Sequence, residues 1–415
     1  EQRTIIQDFQ GFINSAEIQS LVNQLSYASS NQDLLTELDR FINLQNDLRK
    51  LEQNAVLIYP LMLDDRLELV LVTPFSEPTR YPVEVDRATL NRAIANFRQA
   101  LTNPRRDPRP IAKQLYDWLI SPMIADLEAI ATETILYAPD GTLRYVPLAA
   151  LYDGNQWLTQ QFQINHITAT SLQDFAHRPA TEPQILAGAF SQGFYQVEAG
   201  GNTYAFDGLP FAGREVENLV AAFPNTTSLF DTDFSRDLTE LAMDSHTIVH
   251  LATHAAFVSG TPNDSFILFG NGQHITLEEL KGWEGRLNQV ELFVLSACET
   301  GVGMAELGTG EEILGFGYLM QAAGAEAAIA SLWSVSDGGT QVLMDHFYTA
   351  LTQGHSKAEA LRQAQIALIT DDLASTSSDQ RSIRLESHYP VTPPLHHSMT
   401  HPYYWAPFIL IGNGL

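Results

Sequence analysis

The sequence holds a single cysteine, Cys298. No internal disulfide can form, a usage that fits a reducing compartment. Positive charge is also scarce: 23 Lys and Arg stand against 49 Asp and Glu, a formal net charge of −26. A surface of that sign repels a phosphate backbone, so nucleic acid is not an expected partner, whereas cationic ligands and basic peptides are attracted. The imbalance is uneven. Residues 1–180 carry 15 basic and 22 acidic side chains, net −7, while residues 181–415 carry 8 and 27, net −19. No signal peptide is legible and no apolar run reaches the roughly 18 residues that a membrane helix needs. The expectation is a cytoplasmic chain without a membrane segment. The first residue is Glu1 rather than methionine, as in an excised or processed piece.

Apolar surface, by contrast, is plentiful. Hydrophobic residues make up 45% and aromatic residues 10% of 415 positions, enough to bury and too many for one simple core. Residues 1–53 place Ile5, Ile6, Phe9, Phe12 and Ile13, then Leu34, Leu38, Phe41, Leu48 and Leu51, near helical spacing, with no proline before Pro60. This predicts an N-terminal helical segment, available to a regulatory partner. Next, the apolar runs Ala55–Tyr59 and Leu67–Val72 flank Asp64-Asp65, a hairpin pattern. Helices over 87–102 and 110–130 and a strand over Thr134–Ala138 follow.

A second unit starts after the stretch Pro179–Pro183. Strands are expected at Ile185–Phe190, Thr247–Ala252, Glu291–Ala297, Ala327–Trp333 and Pro407–Ile411, and helices at 212–223, 311–324, 339–352 and 356–370. Alternation of this kind predicts an α/β fold, a mostly parallel sheet flanked by helices. The boundaries expected are 1–53, 54–180 and 181–415. Residues 371–400, rich in Ser, Thr, His and Pro, form a loop long enough to be functional or mobile.

The chemistry is expected at strand ends. Glu291-Leu-Phe-Val-Leu-Ser-Ala-Cys298-Glu-Thr-Gly301 is an apolar run ending abruptly in Cys and Gly, and Thr247-Ile-Val-His-Leu-Ala-Thr-His254 repeats the design. In open α/β sheets ligands bind outside the carboxyl ends of the strands. If the two strands are neighbours, a thiol and an imidazole share one crevice, and the imidazole can take the thiol proton and return it to a leaving amine. The N–H groups of Ala255 and Cys298 are candidate oxyanion donors. Either residue alone has a plainer reading, Cys298 as a small buried hydrophobe and His254 as a satisfied core side chain.

Other features carry less. His250 shares the strand parity of His254, but a zinc site is not evident, so a structural histidine is expected. Gly301, Gly303, Gly308 and Gly310 lack the Gly-Lys-Ser/Thr of a phosphate loop, and no cofactor is expected. His388, His396, His397 and His401 crowd together in the long loop, without a metal assigned to them.

Five segments carry a resemblance: Ile248-Val-His-Leu-Ala-Thr-His254-Ala, Leu295-Ser-Ala-Cys298-Glu-Thr-Gly, Gly310-Glu-Glu-Ile-Leu-Gly-Phe, Ala330-Ser-Leu-Trp-Ser-Val-Ser-Asp337 and His401-Pro-Tyr-Tyr-Trp-Ala-Pro-Phe-Ile-Leu-Ile-Gly412. They closely resemble the CHAT-domain family, caspase-like cysteine peptidases related to separase. More loosely, Leu136-Tyr-Ala-Pro-Asp-Gly-Thr-Leu-Arg-Tyr-Val-Pro-Leu-Ala-Ala150 resembles the family's non-catalytic, pseudo-caspase-like first half. The resemblance implies a caspase-hemoglobinase-like fold with a degenerate first half at 54–180 and a catalytic half at 181–415. It also implies a cysteine endopeptidase with Cys298 as nucleophile and His254 as base, acting on proteins or peptides. Ala255 replaces the glycine that follows the histidine in many caspase-like enzymes, keeping the N–H but narrowing the backbone.

Relatives such as separase cut after arginine, using an acidic residue after the Leu-Trp strand; the matching position is Asp337, which could instead cap the helix that follows it. Arg381 and Arg384 would suit self-cleavage of the long loop. Two further readings stand beside the peptidase: a catalytically silent interaction scaffold, and another thiol enzyme such as an acyl transferase.

Overall fold

The computed structural model describes residues 45–46, 48–49, 51, 54–167, 182–257, 263–299, 311–333, 335, 337–370 and 399–414, with backbone alone at 298, 299 and 311–315. Most of the predicted N-terminal helical segment lies outside these residues, as do Gly301, Gly303, Gly308, Gly310, Arg381, Arg384, His388, His396 and His397.

The first half opens with β1 (Ala55–Met62), β2 (Leu67–Val72) and β3 (Thr79–Val83), an antiparallel meander. All six residues of β2 are buried, including Glu68, which sits 2.6 Å from Arg66 and 3.3 Å from Arg80. Three helices follow: α1 (Arg87–Leu101), α2 (Arg109–Leu119) and α3 (Ile124–Ala129). Asp86 starts α1 by accepting the Thr89 N–H at 2.9 Å, and Leu90, Ile94, Phe97 and Leu101 recur on its buried face. Strands β4 (Thr134–Tyr137) and β5 (Gln163–His166) then run parallel to β1 and to each other respectively.

The second half adds β6 (Ile185–Ala189), a separate two-stranded hairpin β7 (Phe194–Ala199) and β8 (Asn202–Asp207), helix α4 (Pro210–Ala222) and β9 (Thr227–Phe230). It continues through α5 (Arg236–Ala242), β10 (Ile248–Ala256), β11 (Phe266–Leu268), β12 (His274–Thr276), α6 (Leu277–Leu280) and β13 (Leu292–Glu299). Helix α7 (Glu311–Ala322), β14 (Ala327–Ser331), α8 (Asp337–Thr352), α9 (Lys357–Thr370), α10 (Pro402–Trp405) and β15 (Phe408–Gly412) complete it.

Among the described residues the two halves share one 13-stranded sheet, ordered β12-β11-β10-β13-β14-β15-β5-β4-β1-β2-β3 with β6 and β9 branching from β10. First-half and second-half strands do not interleave; they meet where β15 runs beside β5 at Ile411 and His166. Strands β6, β10, β13 and β14 run parallel and are buried on both faces, which is why they read as unbroken apolar runs, while β15 lies antiparallel to β14. Ile248 and Ala252 of β10, Leu292 and Val294 of β13 and Ile329 of β14 belong to the core beneath α4, α8 and α9, with Val216, Leu343 and Phe347. Val249, Leu251, Phe293, Leu295 and Ala330 alternate onto the opposite core, with Phe316 and Met320 of α7. The fold is thus the α/β arrangement the periodicity predicts.

Behind β1, β2 and β4 lies a third core of Leu57, Leu61, Val70, Val72 and Leu136, which takes in Leu48. Gln45 and Arg49 hold this end of the N-terminal segment by hydrogen bonds to the Thr73 and Pro74 carbonyls at 3.0 and 2.5 Å.

Candidate active site

Strands β10 and β13 pair in parallel from Ile248 opposite Leu292 to Ala255 opposite Glu299, and within that register His254 and Cys298 are Cα partners. Two positions 44 residues apart in sequence are therefore adjacent on neighbouring strands. Sequence spacing alone ended the histidine strand at Ala252. It continues to Ala256 because β11 folds back antiparallel along its end, placing Ala255 opposite Ile267. His254 consequently sits inside the ladder rather than beyond it. Ala255 is fully buried with strands on both sides.

The imidazole of His254 is 8% exposed and packs between two rings, Phe206 at 4.9 Å and Phe190 at 5.7 Å. Its Nε2 lies 2.8 Å from the carbonyl oxygen of Asp207. A carbonyl can only accept, so Nε2 carries the proton and Nδ1 holds the free lone pair. No partner for Nδ1 exists among the described residues. Burial lowers the imidazole pKa from its ordinary value, opposed by the Asp207 carbonyl and charge. The ring is neutral at physiological pH, the state a general base requires.

His250, one strand repeat earlier, is occupied differently. It is fully buried, with Nε2 2.8 Å from Glu215 of α4 and Nδ1 2.9 Å from the Tyr348 hydroxyl of α8. These contacts make it a structural histidine. His401 is also committed: its Nδ1 accepts the Tyr403 N–H at 3.0 Å and its Nε2 donates to the Arg106 carbonyl at 2.8 Å. No group of three metal-ligating side chains occurs among the described residues.

Asp337 is the first residue of α8, and its carboxylate reaches across to another helix, accepting the Phe211 N–H of α4 at 2.8 Å. Helix α4 has no side-chain cap of its own from Leu209, so Asp337 supplies one. Desolvation raises the carboxyl pKa above the ordinary range, with the charge of Glu215 adding and the amides of Phe211 and Ala212 opposing. One segment ties the two candidates together, since Asp207 bonds His254 and Phe211 bonds Asp337. Four Cα steps separate those anchors, at most about 14 Å.

A family model for the CHAT domain matches residues 109–413. The chain belongs to the CHAT-domain family. The CHAT match starts at α2, so it takes in β4 and β5 of the first half together with the whole second half. No curated protein matches the chain by sequence. Among solved structures, this CHAT chain resembles the Arg-specific cysteine proteinase gingipain R at 10% identity and a TM-score of 0.42, over 79% of this chain and 74% of that one. It also resembles Saccharomyces cerevisiae separase, in its complex with securin, at 10% identity and a TM-score of 0.49, over 92% of this chain and 31% of that one. Likenesses this distant carry no argument about activity, and the CHAT chain spans about a third of the separase chain's length. No helix among the described residues is long and apolar enough to cross a membrane.

Three contributors to the CHAT site escaped sequence reasoning. The Asp207 carbonyl carries no side-chain signal at all. Phe190 and Phe206 belong to ordinary apolar patterns. The hairpin that ends in Asp207 did have a signal, Gly200-Gly201 between alternating segments, the pattern of a tight β-turn.

Proposed function

We propose that this chain is a cysteine endopeptidase that uses Cys298 as nucleophile and His254 as general base. What carries the reading is one observation: position 298 is the register partner of a buried neutral histidine whose Nδ1 has no partner among the described residues. In the proposed cycle Nδ1 takes the thiol proton and the thiolate attacks the peptide carbonyl. Collapse of the tetrahedral adduct breaks the C–N bond, and the imidazolium returns its proton to the leaving amine. Water, deprotonated by the same ring, then releases the acyl group. The Asp207 carbonyl holds Nε2–H throughout, so the lone pair stays on Nδ1.

The N–H groups of Ala255 and Cys298 are the proposed oxyanion donors. Ala255 lies between two strands, so its contribution requires β11 or β13 to yield when substrate enters. Asp337 is the proposed acceptor for an arginine side chain beside the scissile bond. Its carboxylate is tied to the same segment as His254, and the acidic second half attracts basic substrates. Arg381 and Arg384 remain proposed self-cleavage points.

An arginyl chloromethyl ketone tests the assignment. It should label Cys298 in a one-to-one ratio, and Cys298→Ala should abolish both labelling and cleavage of an arginyl reporter peptide. Labelling without peptide turnover points to a different thiol enzyme. Neither labelling nor turnover leaves an interaction scaffold.

A further inference from the structure

Asp231 stands outside everything described so far, and its backbone is unusual. It directly follows β9, whose last register pair joins Phe230 to Ala189 of β6. Its φ of 48° lies in the left-handed region, one of two such non-glycine residues among those described. Aspartate tolerates that region better than most residues, yet a conformation of this kind persists only where the surroundings hold it.

What holds it is its carboxylate. Oδ1 accepts the N–H of Ser191 at 2.7 Å and of Gln192 at 2.8 Å, and the Ser191 hydroxyl lies 3.0 Å from both oxygens. Four contacts to one carboxylate fix the turn that leaves β6. Tight packing leaves little slack behind Asp231, because a Cβ on Gly270 would come within 2.4 Å of its carbonyl oxygen.

The turn in turn fixes the segment that orients His254. Leu209 N–H donates to the Phe190 carbonyl and Gly208 N–H to the Gly193 carbonyl, both at 2.9 Å. Gly208 approaches so closely that a Cβ there would lie 2.5 Å from the Gln192 nitrogen. Phe190 N–H is anchored to the Ala252 carbonyl at 3.0 Å, and the Phe190 ring flanks His254. Directly before Gly208 is Asp207, whose carbonyl takes the His254 Nε2 proton.

We infer that Asp231 is a positioning residue for the catalytic imidazole: through the 190–193 turn and the 207–209 segment it holds the Asp207 carbonyl against His254 Nε2. The inference rests on the peptidase reading for its catalytic consequence, but not for its structural one. Removing the carboxylate frees the turn, lets the Asp207 carbonyl withdraw, and leaves the proton free to occupy either ring nitrogen. Among the described residues Asp231 bonds neither His254 nor Asp337, so its effect reaches the site through these two segments.

The test is Asp231→Gly in the full chain. Glycine accepts the left-handed backbone without strain, so the substitution removes the carboxylate and spares the fold. Nitrogen NMR of labelled histidines, with His254 assigned by His254→Gln, reports which ring nitrogen carries the proton. The wild type should show protonation on Nε2 and Asp231→Gly a mixture of tautomers, with Asp231→Asn in between because it keeps one acceptor oxygen. On an arginyl reporter kcat should drop about tenfold or more. Gly208→Ala, which forces the two segments apart from the other side, should give the same tautomer change. A pure Nε2–H signal and a kcat within about twofold of wild type in Asp231→Gly would overturn the inference. A tautomer change in a chain with no peptidase activity keeps the positioning role and removes the peptidase reading instead.

Discussion

Asp337 shows how a single side chain serves two demands. Its carboxylate caps α4 through the Phe211 N–H, a role asparagine can keep through its amide oxygen, and it is the proposed receptor for an arginine guanidinium, a role that needs the charge. Asp337→Asn separates them. Cleavage of an arginyl reporter should lose about 30-fold or more in kcat/KM, the cost of leaving one member of a buried charge pair alone. An otherwise identical reporter with an aliphatic residue at that position should change by less than about threefold. Equal losses on both reporters would confine Asp337 to capping. The sequence pointed to this residue, and it offered a cap as the alternative. That the capped helix is α4, 126 residues away, could not be read from local spacing.

At the scale of elements, α4 is held to the second half at three levels. Phe211 meets Asp337, Glu215 meets His250, and the Asn218 amide donates to Asp345 at 3.0 Å. Positions 211, 215 and 218 are one helical face, so polar contacts zip the helix beside the apolar ones of Ala212, Val216 and Leu219. The middle contact is the most buried. Glu215→Ala takes away the carboxylate 2.8 Å from the buried His250 Nε2 and should cost about 3–5 kcal/mol, whereas Glu215→Gln keeps a polar neighbour there and should cost about 1–2. Urea unfolding of the two variants checks this, and a loss under about 1 kcal/mol for the alanine variant would mean that the pair contributes nothing net. Period-three-to-four patterning made α4 legible as a helix. Its polar partners lie on β10 and α8, which only the packed molecule brings alongside.

Across the whole molecule, a buried imidazole and a half-buried carboxylate pull stability against pH in opposite directions. His166, 2% exposed at the seam between the halves, has its pKa lowered by burial to about 4, and Asp345 has its pKa raised by burial to about 6. For His166 the unfolded chain takes up a proton near 6.5 that the folded chain refuses; its stabilisation is complete above about 6.5 and lost as pH falls towards about 4. The full swing is on the order of 3 kcal/mol. Asp345 has the opposite sign: the folded chain keeps a proton that the unfolded chain releases near 3.8, so its stabilisation is present below that value and lost as pH rises through about 6. Between about pH 4 and 6 the two offset each other. Asp345→Asn removes the counterweight, and its thermal midpoint should fall more steeply than that of the wild type as pH drops from 6.5 to 4. Parallel profiles for the two proteins would show that Asp345 does not hold its proton in the folded chain.

Periodicity and composition determined the alternation of strands and helices in the second half, the parallel central strands and the two positions proposed for catalysis. Each of these is written in local spacing and in where an apolar run stops. Short or edge strands such as β3, β9, β11 and β12 were not legible, because they are made by the strand beside them rather than by their own residues. Tertiary structure alone decided that β10 and β13 are neighbours in the register that pairs His254 with Cys298. It also decided that a backbone carbonyl at Asp207 orients the imidazole, and that Asp231 stands behind that carbonyl. The reason is physical: main-chain groups are the same at every residue, so their part in a site depends on where the chain is folded and on nothing a side-chain alphabet can record.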